Sequence, residues 1–207
     1  LAAGTQSKAA VNMGVKQTGA GSSYVDLAWN AQLGAGHYHT QFSQDGKNWI
    51  DMEYSSSPSD SVYNLTQGAS YYARVVAYNG SHYSGTHVMV GVSETAIVST
   101  KPTEVTGLTQ TAAGVNSVSM SWNASAGAAS YVIYGYINYN WTQIGTSATN
   151  SATITGVAAT TSTKFSVAAV KNVTGGTVTG DQCSGVEMKA IPIKVSRIAM
   201  QYYWDSL

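Results

Sequence analysis

The sequence predicts an all-β protein built from two tandem β-sandwiches, and three observations carry that expectation. Trp29 and Trp122 sit in matching contexts, Val25-Asp26-Leu27-Ala28-Trp29-Asn30 and Val118-Ser119-Met120-Ser121-Trp122-Asn123, 93 positions apart. A fixed internal offset marks a duplicated unit and decides architecture ahead of any local reading. Apolar residues alternate with polar ones at a period of two, as Val25, Leu27 and Trp29 do against Tyr24, Asp26 and Ala28, which is the signature of a strand with one dry and one wet face. Short alternating runs are separated by turn signals with no sustained helical stripe, the pattern of a sandwich.

The elements follow in order. Val15-Lys16-Gln17-Thr18 opens the first copy and matches Leu108-Thr109-Gln110-Thr111 in the second. The strand ending at Trp29 or Trp122 comes next. Gly34-Ala35-Gly36 then turns into a strand in which Tyr38, Thr40 and Phe42 face one way and His37, His39 and Gln41 the other; Tyr38 matches Tyr131. Asp45-Gly46 tolerates positive φ and suits a tight hairpin, which places Trp49 and Ile50 in the returning strand. Val62-Tyr63-Asn64-Leu65 matches Ile154-Thr155-Gly156-Val157. In the strand after it, Tyr71, Ala73, Val75 and Ala77 should point inward, with Thr163, Phe165, Val167 and Ala169 as counterparts. Each copy closes on another alternation, Ser93 to Val98 and Cys183 to Met188. The small deletions in copy two fall between strands, where loops tolerate length change.

These residues resemble a tandem of fibronectin type III domains of the bacterial secreted or cell-surface type, immunoglobulin-like in fold. The Trp of the second strand, the Tyr opening the third, and Leu65 six residues before Tyr71 carry the resemblance. It implies that Tyr71 hydrogen-bonds back to the upstream turn, and that this corner is absent in copy two, where Thr163 stands. The expected organisation is an N-terminal tail over 1–10, a first domain over 11–101, a second over 102–192, and a segment 193–207. That last segment starts a truncated third repeat or forms a capping strand over a sheet edge. The joint around Ser99 to Thr103 holds Pro102 and lacks a long Gly/Ser tract, so an extended, semi-rigid pair is expected.

Composition narrows the function classes. Ten basic residues balance ten acidic ones and only 10% of residues are charged. Nucleic acid calls for a basic face, and the lysines, such as Lys47, Lys101, Lys164, Lys171 and Lys189, are scattered singly. No apolar run approaches the roughly 20 residues of a membrane helix. Cys183 is alone, so no intrachain disulfide forms; it reads as a small buried residue beginning a strand.

Two clusters could carry binding chemistry. His37 and His39 share a strand face, the wet one, and His82 and His87 flank a loop beside the same sheet. These four could converge on a metal ion, which needs three or four N, S or carboxylate ligands, or stand as solvated strand histidines. The outward face with His39, Tyr72, Arg74, Tyr78 and Tyr83 is a candidate contact patch, since exposed rings stack on sugars or anchor partners. In copy two, Tyr134, Tyr136 and Tyr139 also point outward. Cross-strand pairing that only stabilises the sheet explains such tyrosines equally. No nucleophile elbow, zincin helix, P-loop or dinucleotide fingerprint occurs, so no enzyme activity and no cofactor are expected.

The resemblance implies a non-catalytic extracellular module of a larger bacterial surface or secreted protein, a spacer or adhesion element. Its partners would be proteins or glycans at the cell surface and flanking domains of its own chain. The alternative is a carbohydrate-binding accessory module of a glycan-degrading enzyme, which requires a coplanar row of exposed rings.

Overall fold

A computed structural model describes residues 9–83, 87–159 and 161–192. The expected segment 193–207 lies outside them. The described residues form sixteen strands and no helix.

The first unit holds β1 (Lys16–Ala20), β2 (Val25–Ala28), β3 (His37–Ser43), β4 (Ile50–Ser55), β5 (Ser59–Val62), β6 (Ser70–Tyr78), β7 (Met89–Val92) and β8 (Ala96–Ser99). One sheet has the order β1-β2-β5 and the other β4-β3-β6-β7, with β8 also on β6. All these pairings are antiparallel. The second unit repeats the plan with β9 (Thr109–Gly114), β10 (Ser117–Ser121), β11 (Ser130–Ile137), β12 (Asn140–Ser147), β13 (Ser151–Thr155), β14 (Thr163–Val173), β15 (Gly176–Thr179) and β16 (Val186–Met188). Its sheets are β13-β10-β9 and β12-β11-β14-β15, with β16 on β14. Three strands facing five, twice over, with the last two of the five both lying along one neighbour (β7 and β8 on β6, β15 and β16 on β14), is the immunoglobulin-like arrangement that the resemblance implies.

Alternation explains the cores. Val25, Leu27 and Trp29 are buried with Tyr38, Phe42, Ala73, Val75 and Ala77 in one cluster. Val118, Met120 and Trp122 join Tyr131, Phe165, Val167 and Ala169 in a second. Fully burying a side chain such as Leu27 stabilises by about 1.5–3 kcal/mol. The two indoles do the same work in each unit. Trp29 meets Tyr38 edge-on with ring centroids 5.3 Å apart, and Trp122 meets Tyr131 at 5.3 Å. Each tyrosine hydroxyl in turn accepts a backbone amide, from Gln32 and from Ser125.

The final strand of each unit is interrupted at equivalent residues. Ser93 separates β7 from β8, and its Oγ accepts the Val75 amide at 2.8 Å. Cys183 precedes β16, and its Sγ accepts the Val167 amide at 3.2 Å. The buried thiol is therefore a hydrogen-bond acceptor at a sheet irregularity, where its counterpart is a hydroxyl.

The corner tyrosine is present: Tyr71 Oη accepts the Thr66 amide at 3.0 Å. Just upstream, Asn64 and its counterpart Gly156 both have positive φ, 60° and 75°, a backbone that Asn and Gly adopt most readily. The Asp45-Gly46 hairpin differs from expectation. Residues 44–49 form a wider connection, and Trp49 precedes β4 rather than lying in it. The Asp45 side chain organises it, accepting from the amides of Lys47 and Asn48 and from the Ser43 hydroxyl. Those hydrogen bonds hold its carboxyl well below the usual carboxylate range.

Candidate functional site

The candidate site is a cluster of four histidines and two tyrosines at one end of the β4-β3-β6-β7 sheet. Alternation puts His37 and His39 on the same face of β3. Register then brings Tyr78 opposite His37 and Tyr54 opposite His39. After β6 the chain turns at Asn79-Gly80 and carries His82 back over the strand. Gly36 makes this possible, because a Cβ there would meet the Gly80 carbonyl oxygen at 2.0 Å.

The rings are close. His37 stacks on Tyr78 at 5.3 Å and lies 5.4 Å from His39 and 5.5 Å from His82, centroid to centroid. His39 is 5.2 Å from His82, and Tyr54 covers His82 at 4.3 Å. His87 stands 5.1 Å from His37 and is itself exposed. The reading of His37 as a solvated strand histidine is corrected here: it is completely buried. The physical reason is the cover supplied by Tyr78 and by the loop bearing His82, which closes over the face that alternation alone assigns to water.

The hydrogen bonding is incomplete in a specific way. His37 Nδ1 is 3.0 Å from the Gly80 carbonyl. A carbonyl only accepts, so Nδ1 carries the proton and Nε2 presents a lone pair. His37 Nε2, His39 Nε2 and His82 Nδ1 are all sealed from solvent without a hydrogen-bond partner. Leaving one buried polar atom unmatched costs about 1–3 kcal/mol. The ligating atoms of these three residues all lie within 4.8 Å of one another. Burial holds the His39 imidazole below its ordinary pKa, with Asp51 pulling upward and the neighbouring histidines downward. Burial also raises the Tyr78 phenol.

The contact patch is only partly assembled. His39, Tyr78 and Tyr83 belong to the histidine end, with Tyr83 exposed beside His82 and Tyr54. Tyr72 lies six residues along β6 from Tyr78, roughly 20 Å at the usual rise per residue. Between them Arg74 donates through Nε to Gln41 Oε1 at 2.7 Å, and Gln41 donates to Asp51 at 2.7 Å. The Arg74 guanidinium sits 4.1 Å from the Trp49 ring centre, a cation–π contact. The middle of the patch is thus a neutralised polar relay rather than a row of free rings.

Two residues escaped the sequence reading. Tyr54 walls the histidine cluster; its signal was its phase on β4, opposite His39. Trp141, on the β11–β12 hairpin, packs edge-on against Tyr136 with centroids 5.3 Å apart. Tyr136 is 41% exposed, Trp141 39% and the neighbouring Tyr139 90%. Tyr134 is half-buried.

The two units have the fibronectin type III fold, with the strand order described above. No protein-family model matches the chain. It is 33% identical over 162 residues to Chitinase A1 of Niallia circulans, a match covering 74% of this chain and 22% of that relative. The chain thus spans about a fifth of the relative's length. Among solved structures, it is similar to the two-domain fibronectin type III segment of chicken tenascin, with 15% identity, 85% of this chain and 97% of that chain covered, and a TM-score of 0.42. It is also similar to the FN1–FN3 domains of chicken CNTN1, with 15% identity, coverage of 88% and 68%, and a TM-score of 0.48. No helix among the described residues is long and apolar enough to cross a membrane.

Proposed function

We propose that this chain is a non-catalytic extracellular module of a larger bacterial surface or secreted protein, acting as a spacer or adhesion element, with its two units meeting at Lys101 and Pro102. The observation that carries this reading is the joint between the units. Thr100 is buried, and its hydroxyl donates to the Thr66 carbonyl at 2.8 Å. The Lys101 amide donates to Gly21, and the Lys101 ammonium pairs with Asp181 at 2.5 Å. The first unit therefore holds the chain up to the residue before Pro102. From the second unit, Lys171 is buried and donates through Nζ to the Gly68 carbonyl. Thr174 exchanges two hydrogen bonds with the Ile97 backbone, at 2.8 and 2.7 Å. A joint tied at three places resists bending, which a spacer requires. Spin labels on β4 and β12 test it by pulsed electron resonance: a narrow distance distribution is expected, and one as broad as a flexible tether gives would overturn the spacer reading.

A second reading is supported by the likeness to Chitinase A1 and by the exposed Tyr136, Tyr139 and Trp141. In it, the module accompanies a glycan-degrading enzyme and touches the glycan. Tyr136 and Trp141 are inclined at 60°, so they offer no flat platform and suit a single sugar chain better than a crystalline surface. Titration with chito-oligosaccharides checks this: binding that is lost in Trp141→Ala supports it, and the absence of binding to the folded wild type removes it.

A further inference from the structure

We propose that His37, His39 and His82 form a binding site for a divalent transition-metal ion of the zinc type, a role beyond the spacer reading and independent of it. Three observations converge. Each of the three side chains has a ring nitrogen shielded from solvent with no hydrogen-bond partner. The ligating atoms lie within 4.8 Å of one another. Zinc–imidazole bonds of roughly 2.0–2.1 Å place tetrahedral ligands about 3.3 Å apart, so a modest rotation of the half-buried His39 and His82 completes the shell. The Gly80 carbonyl supplies the outer contact that metal-bound imidazoles characteristically have, since it holds the His37 proton on Nδ1 and aims the Nε2 lone pair into the cluster.

The environment suits the same chemistry. Tyr54 and Tyr78 wall the cluster with aromatic rings. His87 stands at the rim and is not one of the three mutually close ligands. A three-imidazole shell leaves a fourth position for water or for a group from outside the domain. Because His82 lies on the connection after β6 while His37 and His39 lie on β3, the bound ion fastens that connection to the sheet.

The test uses the whole chain without a polyhistidine tag and zinc chloride as the probe. Calorimetry should show one zinc per chain, and the melting temperature should rise progressively with zinc concentration, as it must for a ligand of the folded state. His82→Ala should weaken zinc binding at least tenfold while its metal-free melting stays near that of wild type. If His82→Ala does not fold, His39→Gln takes its place with the same expectation. In the wild type, zinc should shift the ring resonances of His37, His39 and His82 most. Absence of saturable binding by the folded wild type would overturn the proposal. So would undiminished affinity in the folded variant, or ring shifts confined to other residues. None of these outcomes bears on the spacer reading, which rests on the joint.

Discussion

The side-chain amide of Gln17 behaves toward Ser99 as a strand would. Its Nε2 donates to the Ser99 carbonyl at 2.7 Å, and its Oε1 accepts the Ser99 amide at 2.9 Å. Gln110 clasps Lys189 in the same way in the second unit, at 2.9 and 3.1 Å. The clasp ties the first strand of one sheet to the last strand of the other, across an opening that backbone pairing does not close. Gln17→Ala should cost about 1–3 kcal/mol, because two backbone groups lose their partner. Gln17→Glu should cost at least as much, since a carboxylate would face the Ser99 carbonyl without a donor. Chemical denaturation of the two variants checks both.

Tyr71→Phe keeps the ring and removes the acceptor of the Thr66 amide. A net loss of about 0.5–1.5 kcal/mol is expected, with faster hydrogen exchange at Thr66. Thr163 occupies the equivalent place in the second unit, so Thr163→Val should leave exchange at the upstream turn around Val157 unchanged. Exchange measured by NMR separates the two cases.

Cys183 stands where the first unit has Ser93, and both side chains receive a β-strand amide. Cys183→Ser should therefore lie within about 1 kcal/mol of wild type, whereas Cys183→Val, which strands the Val167 amide, should cost about 1–3 kcal/mol. Thermal melts of the three proteins decide the matter.

Asp60 carries a pH dependence. Burial raises its pKa and Glu53 adds to the rise, while hydrogen bonds from the Thr40 hydroxyl and the Ser61 amide oppose it. A carboxyl raised on folding disfavours the folded state at neutral pH. That penalty fades as pH falls through the raised value and is gone below the unfolded one. The stability difference between Asp60→Asn and wild type should thus move in favour of the variant as pH climbs from the acid range to neutral. Denaturant midpoints at a series of pH values test the sign of that slope.

What could be read from the chain divides along physical lines. The sandwich was legible because burial imposes a period of two, and Ala73, Val75 and Ala77 could face only the core. The inward tyrosines were legible by the same phase. His37 was not, because what covers a strand's outer face depends on a loop distant in sequence, here the one whose Gly80 carbonyl holds its ring. The Asp45-Gly46 turn misled because local dipeptide chemistry competes with side-chain capture of amides, and Asp45 with Ser43 won that competition. Trp141 was overlooked since a ring on an exposed hairpin has no alternation to betray it.

The two bonds between Thr174 and the Ile97 backbone fix azimuth as well as separation. If further units joined through the same contact, each would be turned by a constant angle from the one before, and the assembly would coil into a regular superhelix. Its pitch would determine how often a given sheet face comes round to face the same direction.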